Sequence, residues 1–318
     1  MVSLFVFSFL IFLDIPVQAE ILFYWQDQCQ DDYGPGTYLY PSHHHFPSGK
    51  GLWDLQFFMI EDRSTEYVFH FTFTDLPDPW SGFFGFSHPL IHLYVDNAEG
   101  GEMAALEPLE QIQMDPCSPW DKAVIVCGWW LKGVRAGEDW YSPELDVSWD
   151  NPRPPNLPGS KVEIGGTTIL VSIPKDWLGN LEDAKYYVLV GSYDPLDSQH
   201  FRRVQEEKSL WYFGGGLADE YNPPIIDILV PNGFCQKEIL SQYPIILRPI
   251  GPAGRLVLAD LLIFLFSLGI FLTMIYLTFY CKNLPYLVDE KLAKINKPRG
   301  EIVEKDLLVD EDFEYSHP

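Results

Sequence analysis

Asp31 and Asp32 open the segment Asp-Asp-Tyr-Gly-Pro-Gly-Thr-Tyr-Leu-Tyr-Pro (31–41), which joins hard oxygen donors to a forced turn. Adjacent carboxylates ahead of Gly34-Pro35-Gly36 make a loop that can wrap a calcium ion with help from backbone carbonyls. The same spelling also serves as an ordinary turn, since Asp, Gly and Pro are what turns demand. A second chemistry is stacking. Sugars present apolar C–H faces to aromatic rings and hydroxyls to polar side chains, so a glycan site needs exposed Trp or Tyr beside carboxylates. Trp140-Tyr141 and Trp149-Asp150, in or next to loops rich in Pro and Gly, answer that description and are the expected ligand-binding residues.

Other constellations are weaker. His43, His44 and His45 offer imidazole, the commonest nitrogen ligand for transition metals, but three neighbours in a polar loop point in different directions and read as surface. Gly85-Phe86-Ser87-His88 lacks the closing glycine of a nucleophile elbow. Gly214-Gly215-Gly216 lacks the Lys and Ser or Thr of a phosphate loop and reads as a β-turn. Carboxylates are abundant, yet which two would face one another in a glycosidase is not encoded locally. Nucleophilic catalysis therefore finds no support in these motifs, while a carboxylate pair stays open on the residues alone.

The elements that must position these residues are short strands. In Glu-Tyr-Val-Phe-His-Phe-Thr-Phe-Thr (66–74), Tyr67, Phe69, Phe71 and Phe73 share one face and Val68, His70, Thr72 and Thr74 the other, the period of a strand with an aromatic inner side. Further strands are expected at 53–60, 89–95, 123–130, 161–162, 167–173 and 186–192, with turns at 75–82, 133–139 and 151–160 and a brief helical turn at 174–178. An all-β, two-sheet antiparallel β-sandwich follows, because no 3.6-residue period appears before residue 256.

Two apolar stretches stand apart. Residues 1–19 read as a signal peptide ending in the small-x-small site Val17-Gln18-Ala19. Leu256 to Tyr280 is long enough for one transmembrane helix. Lys282, Lys291, Lys294, Lys297 and Arg299 follow it, so the positive-inside rule makes this a single-pass type I protein of the cell membrane, with the N-terminal domain outside and a short cytoplasmic tail (281–318) that reads as disordered. The domain is expected over residues 20–243 and a Pro-rich stalk over 244–255. Four of five cysteines, Cys29, Cys117, Cys127 and Cys235, fall in the exported part. An even number there argues for two disulfides in one of three pairings; Cys117–Cys127, a short local loop, and Cys29–Cys235, tying the first strand to the last, are favoured. The full chain carries 45 Asp and Glu against 21 Lys and Arg, a net charge of −24. A surface so acidic repels nucleic acid and anionic polymers and favours neutral, cationic or metal-bridged partners.

Several blocks in fixed order resemble one family: DDYGPGTYLYP at 31–41, LWDLQFF at 52–58, FTFTDLPDPW at 71–80, GFSHPLIHLYVD at 85–96, WDKAVIVCGW at 120–129, YYVLVGSYDP at 186–195, FRRV at 201–204, WYFGGG at 211–216 and PPIIDILVP at 223–231. Together they resemble the C-terminal domain of glucodextranase and of archaeal amylopullulanases, a sandwich related to the DOMON group. The resemblance implies a module that accompanies glycan-active enzymes or stands alone on prokaryotic, often archaeal, cell surfaces and supplies no catalytic residue. Its expected partners are carbohydrate or an envelope or surface-layer protein, with lipid met through one helix. The polar turn that relatives carry before DDYGPG is Asp-Gln-Cys-Gln (27–30) here. Calcium is the expected cofactor, on Asp31 and Asp32 with Asp54 and Asp96 as further ligands. Trp120, Trp129 and Trp211 lie inside the shared blocks and are expected in the core. Two alternatives stay open. Some DOMON relatives clamp haem b for electron transfer, for which Met59, His70, His92 and Met103 are the available ligands. The chain can also serve as an accessory subunit of a membrane complex.

Overall fold

The computed structural model describes residues 19–138, 157–218, 221–252, 269–276 and 278. Strands β1 (Glu20–Gln26), β2 (Leu55–Asp62), β3 (Glu66–Phe73), β4 (Pro89–Asp96), β5 (Ile112–Gln113), β6 (Lys122–Val126), β7 (Leu131–Arg135), β8 (Lys161–Gly165) and β9 (Thr168–Pro174) precede helix α1 (Lys175–Leu178). Then come β10 (Lys185–Ser192), β11 (Ile225–Ile228), helix α2 (Gln236–Leu240) and β12 (Ile245–Ile246). Two five-stranded antiparallel sheets result, in the orders β1-β2-β3-β9-β8 and β11-β10-β4-β6-β7.

Alternation decides how the sheets meet. Phe69, Phe71 and Phe73 of β3, with Phe58 and Ile60 of β2 and Ile169, Val171 and Ile173 of β9, enter one core. Ile91, Leu93 and Val95 of β4, with Val188 and Val190 of β10, fill it from the opposite sheet. The other face of the first sheet carries half-buried His70 and Thr72, as a one-sided strand should. In the second sheet both faces are covered. Leu90, Tyr94, Ile125, Tyr187 and Leu189 point into a second cluster, roofed by Ala105, Leu109 and Ile112 of the 97–114 loop and by Ile239, Leu240, Ile245 and Leu247. A strand with apolar cover on both sides reads as a continuous apolar run, and Pro89–Asp96 and Lys185–Ser192 do so.

Several expectations need correction. The turn expected at 133–139 is strand β7 as far as Arg135, because Gly133 pairs opposite Val124 under the ring of Trp177, where a side chain would collide. The segment expected as a stalk from 244 belongs to the domain as far as Ile250, whose backbone exchanges both hydrogen bonds with Tyr186 and whose side chain is buried. The expected disulfides are absent: Cys29, Cys117, Cys127 and Cys235 are all free. A bridge needs both side chains to converge, but Cys127 is sealed in the second cluster while Cys117 is exposed in the turn after Asp115. Cys29 is likewise exposed and Cys235 half-buried ahead of α2.

Residues 255–318 form a separate unit. Its described part, 269–276, is helical with exposed apolar side chains at Ile270, Phe271, Leu272, Met274, Ile275 and Tyr276. Among the described residues no helix is long and apolar enough to cross a membrane. Residues 1–18, most of the stretch expected to span the bilayer, and the whole tail lie outside the described residues.

Candidate functional site

One edge of the sandwich is closed by carboxylates. β1 is an edge strand of the first sheet and β11 an edge strand of the second. Asp27 follows β1, with its N–H donating to Gln56 O at 2.9 Å. Asp227 is the third residue of β11, fully buried. The 31–41 loop lies between them. Its turn is anchored where the Gly34 N–H donates to Ile226 O at 2.8 Å, and Gly34 takes φ +57° with the Tyr38 ring where any side chain would go. Gln236 of α2 seals the loop, donating through Nε2 to Asp31 O at 2.6 Å and accepting from the Ile228 N–H at 2.6 Å through Oε1.

These connections gather three side chains. Asp27, Asp31 and Asp227 each offer a carboxylate oxygen, and the three oxygens lie within 4.8 Å of one another. Asp27 Oδ2, Asp31 Oδ1 and Asp227 Oδ1 are buried and have no hydrogen-bond partner among the described residues. Asp227 is held by its other oxygen, which accepts from the Leu55 N–H at 2.8 Å. An unpartnered buried carboxylate oxygen is costly, and three carboxylates gathered within a few ångströms repel one another as well. Burial, then the Asp31 charge, pushes Asp27 up to about 8; burial and Asp54 push Asp31 up to about 7; Asp227 is pushed well above the carboxylate range, chiefly by burial. A hard cation bound among them would offset that penalty. Calcium takes oxygens at 2.3–2.6 Å, so two oxygens on one ion are at most ~5 Å apart, and this set meets that limit.

The sequence-predicted ligands divide around this group. Asp31 is in it. Asp32 is not: its Oδ2 accepts from the Tyr40 hydroxyl and from the Trp53 N–H, and burial raises it to about 6. Asp54 is also spent on the frame, accepting from the Gln30 N–H at 2.7 Å and from the Thr74 hydroxyl. Asp96 ends β4 and faces Lys185 at 3.9 Å instead. Asp27 and Asp227 were missed. The available signal was Asp227 itself, a lone carboxylate inside the apolar run Pro-Pro-Ile-Ile-Asp-Ile-Leu-Val-Pro.

The remaining candidates fall elsewhere. Trp140, Tyr141, Trp149 and Asp150 lie outside the described residues. Trp120 is core, as expected, but Trp129 is only half-buried and Trp211 is 40% exposed. The rings of His43, His44 and His45 crowd together, with centroids 4.1 to 4.9 Å apart. The haem candidates do not converge. His70 lies on the outer face of the first sheet against Glu61 Oε2 at 3.1 Å, whereas His92 is in the second cluster beside the Tyr94 hydroxyl, with the packed inter-sheet core between them. Met59 pairs opposite His70 on the first sheet, and Met103 is exposed on a loop.

Residues 22–247 match a family model described as the C-terminal binding module, SLH-like, of glucodextranase. No curated protein matches the chain.

Proposed function

The chain belongs to the family of glucodextranase C-terminal binding modules, and from that premise we propose that it is a non-catalytic carbohydrate-binding module held at the cell surface by one membrane helix and clamped by calcium. The observation that carries the reading is the extent of the match, which reaches from within β1 past β11 and so covers both sheets but for the first two residues of β1, and describes a binding module rather than a catalytic domain. Calcium is supported by the unpartnered oxygens of Asp27, Asp31 and Asp227. An ion there ties the β1 edge of one sheet to the β11 edge of the other, so its role is to stiffen the scaffold. The helical stretch 269–276, exposed and apolar but for Gly269 and Thr273, supports a bilayer anchor. An envelope protein is the other partner this reading allows, since the matched family model is described as SLH-like.

The test is a glycan array probed with the full chain in mild detergent, in calcium and in chelator, followed by calorimetry on each hit. Saturable binding of a neutral glycan in calcium supports the reading. An array without a hit in calcium, repeated with polymeric glucans, overturns it.

A further inference from the structure

At the end of the sandwich where the 193–212 segment meets the 80–88 and 127–130 turns lies a cavity of about 290 Å³. We propose that this cavity is the subsite that seats one neutral hexopyranose unit, held between Trp80, Trp129 and Trp211 above the buried Arg202–Asp194 pair. The proposal rests on the carbohydrate-binding reading above and adds the place and the kind of sugar.

Its walls are rings that are already fixed. Trp129 stacks on Tyr193 with centroids 4.8 Å apart at 25°, Trp211 on His43 at 4.1 Å and 25°, and Trp80 on His88 at 4.8 Å and 29°. Each indole is backed by a second ring and still lines the cavity. Such rings lose little freedom when a ligand arrives, and the C–H face of a pyranose is their natural complement.

The floor is built by one buried cation. Arg202 is 4% exposed, donates from Nε to Ser192 Oγ at 3.1 Å, and pins two wall residues through their carbonyls: Tyr193 O at 2.9 Å from Nη2 and Trp211 O at 2.8 Å from Nη1. Its guanidinium also lies 4.8 Å from the Phe46 ring centroid. Asp194, 3.5 Å away and equally buried, balances the charge. The pair therefore leaves no net charge to draw an anion, and the chain's net charge of −24 repels one. Asp194 Oδ1 accepts only the Leu196 N–H at 3.1 Å among the described residues. A carboxylate oxygen has a second lone pair, which a sugar hydroxyl can use. The volume sits near the lower end of the ~300–1,000 Å³ typical of ligand sites. One ring fits inside, and the rest of a glycan runs out past Leu196, which is 91% exposed at the rim.

The experiment uses the full chain in detergent with calcium, titrated with isomaltoheptaose and maltoheptaose and with the best array hit, read by calorimetry and tryptophan fluorescence. Trp211→Ala, at an exposed position, and Trp129→Ala should each weaken binding about tenfold or more, while Trp177→Phe, outside the cavity, should leave it unchanged. Leu196→Asp covers the event that Trp129→Ala fails to fold, and its rim charge should weaken binding with the melting temperature retained. Wild-type affinity in folded Trp211→Ala and Leu196→Asp overturns the subsite and leaves the carbohydrate reading standing. Preferential binding of uronic-acid or sulfated glycans overturns the neutral-sugar assignment. A wild-type chain that binds no glycan removes the carbohydrate reading, and this subsite with it.

Discussion

On the proposed calcium clamp, adding calcium should stabilise the domain, and by more as the pH rises. Without a cation, Asp27 ionises only at about 8 and Asp31 at about 7, and Asp227 is held higher than ordinary carboxylates, whose usual value is 3.8. The unfolded chain gives up these protons near pH 4. Between about pH 4 and 8 the folded state therefore binds more protons than the unfolded one, and stability contributed by the protonated site is lost as the pH climbs through that window. A bound ion replaces the protons and removes the loss. Free calcium a thousandfold above Kd adds ~4 kcal/mol by mass action, and a domain of this size gains ~2–4 °C per kcal/mol. Melting curves of the full chain at pH 5, 6, 7 and 8 should thus separate by roughly 8–16 °C between calcium and chelator at pH 8 and close up at pH 5. Asp227→Asn keeps an acceptor for the Leu55 N–H but removes a buried charge. It should lose the calcium response and, in chelator at pH 8, melt above the wild type. Coincident wild-type curves at pH 8, or a chelated protein that gains stability from pH 5 to 8, would refute the reasoning.

Other outcomes follow from the packing. Thiol labelling should modify Cys29 and Cys117 in the folded protein but reach Cys127, whose thiol burial pushes well above its usual range, only on unfolding; reductant should leave the melting temperature unchanged. Gly34→Ala should cost about 1 kcal/mol or more, because φ is +57° and the Tyr38 ring occupies the place of the new methyl, and should weaken calcium affinity in a titration with a metallochromic indicator. Phe71→Ala should cost ~3–5 kcal/mol in denaturant melts, since Phe71 is buried in the inter-sheet core. Arg202→Met should cost ~3–5 kcal/mol by the same assay, because Asp194 is left buried without its cation.

The inner faces were legible in advance. Tyr67, Phe69, Phe71 and Phe73 alternate in sequence and enter one core together, because side chains on a strand must alternate. The boundaries of β4, β9 and β10 fall within one residue of those expected. β1 was missed, lying directly after the segment read as signal peptide. β7 was missed because Gly133 reads as a turn residue, while its real function is to leave room for the Trp177 ring. Trp129 and Trp211 are expected in the core with Trp120, but indoles inside the shared blocks differ only in which side of the fold they reach.

By itself the sequence determined the all-β class, the family, the acid-rich composition and the turn that holds Asp31, because local spacing, the order of blocks along the chain and composition can all be read without knowing which distant residues meet. Only the tertiary structure decided that Asp27, Asp31 and Asp227 share one buried point and that Trp80, Trp129 and Trp211 share one cavity. The reason is physical. Periodicity states which face a residue occupies, but two hundred residues separate Asp27 from Asp227, and which strand edges come to lie side by side is settled by the pairing order of both sheets.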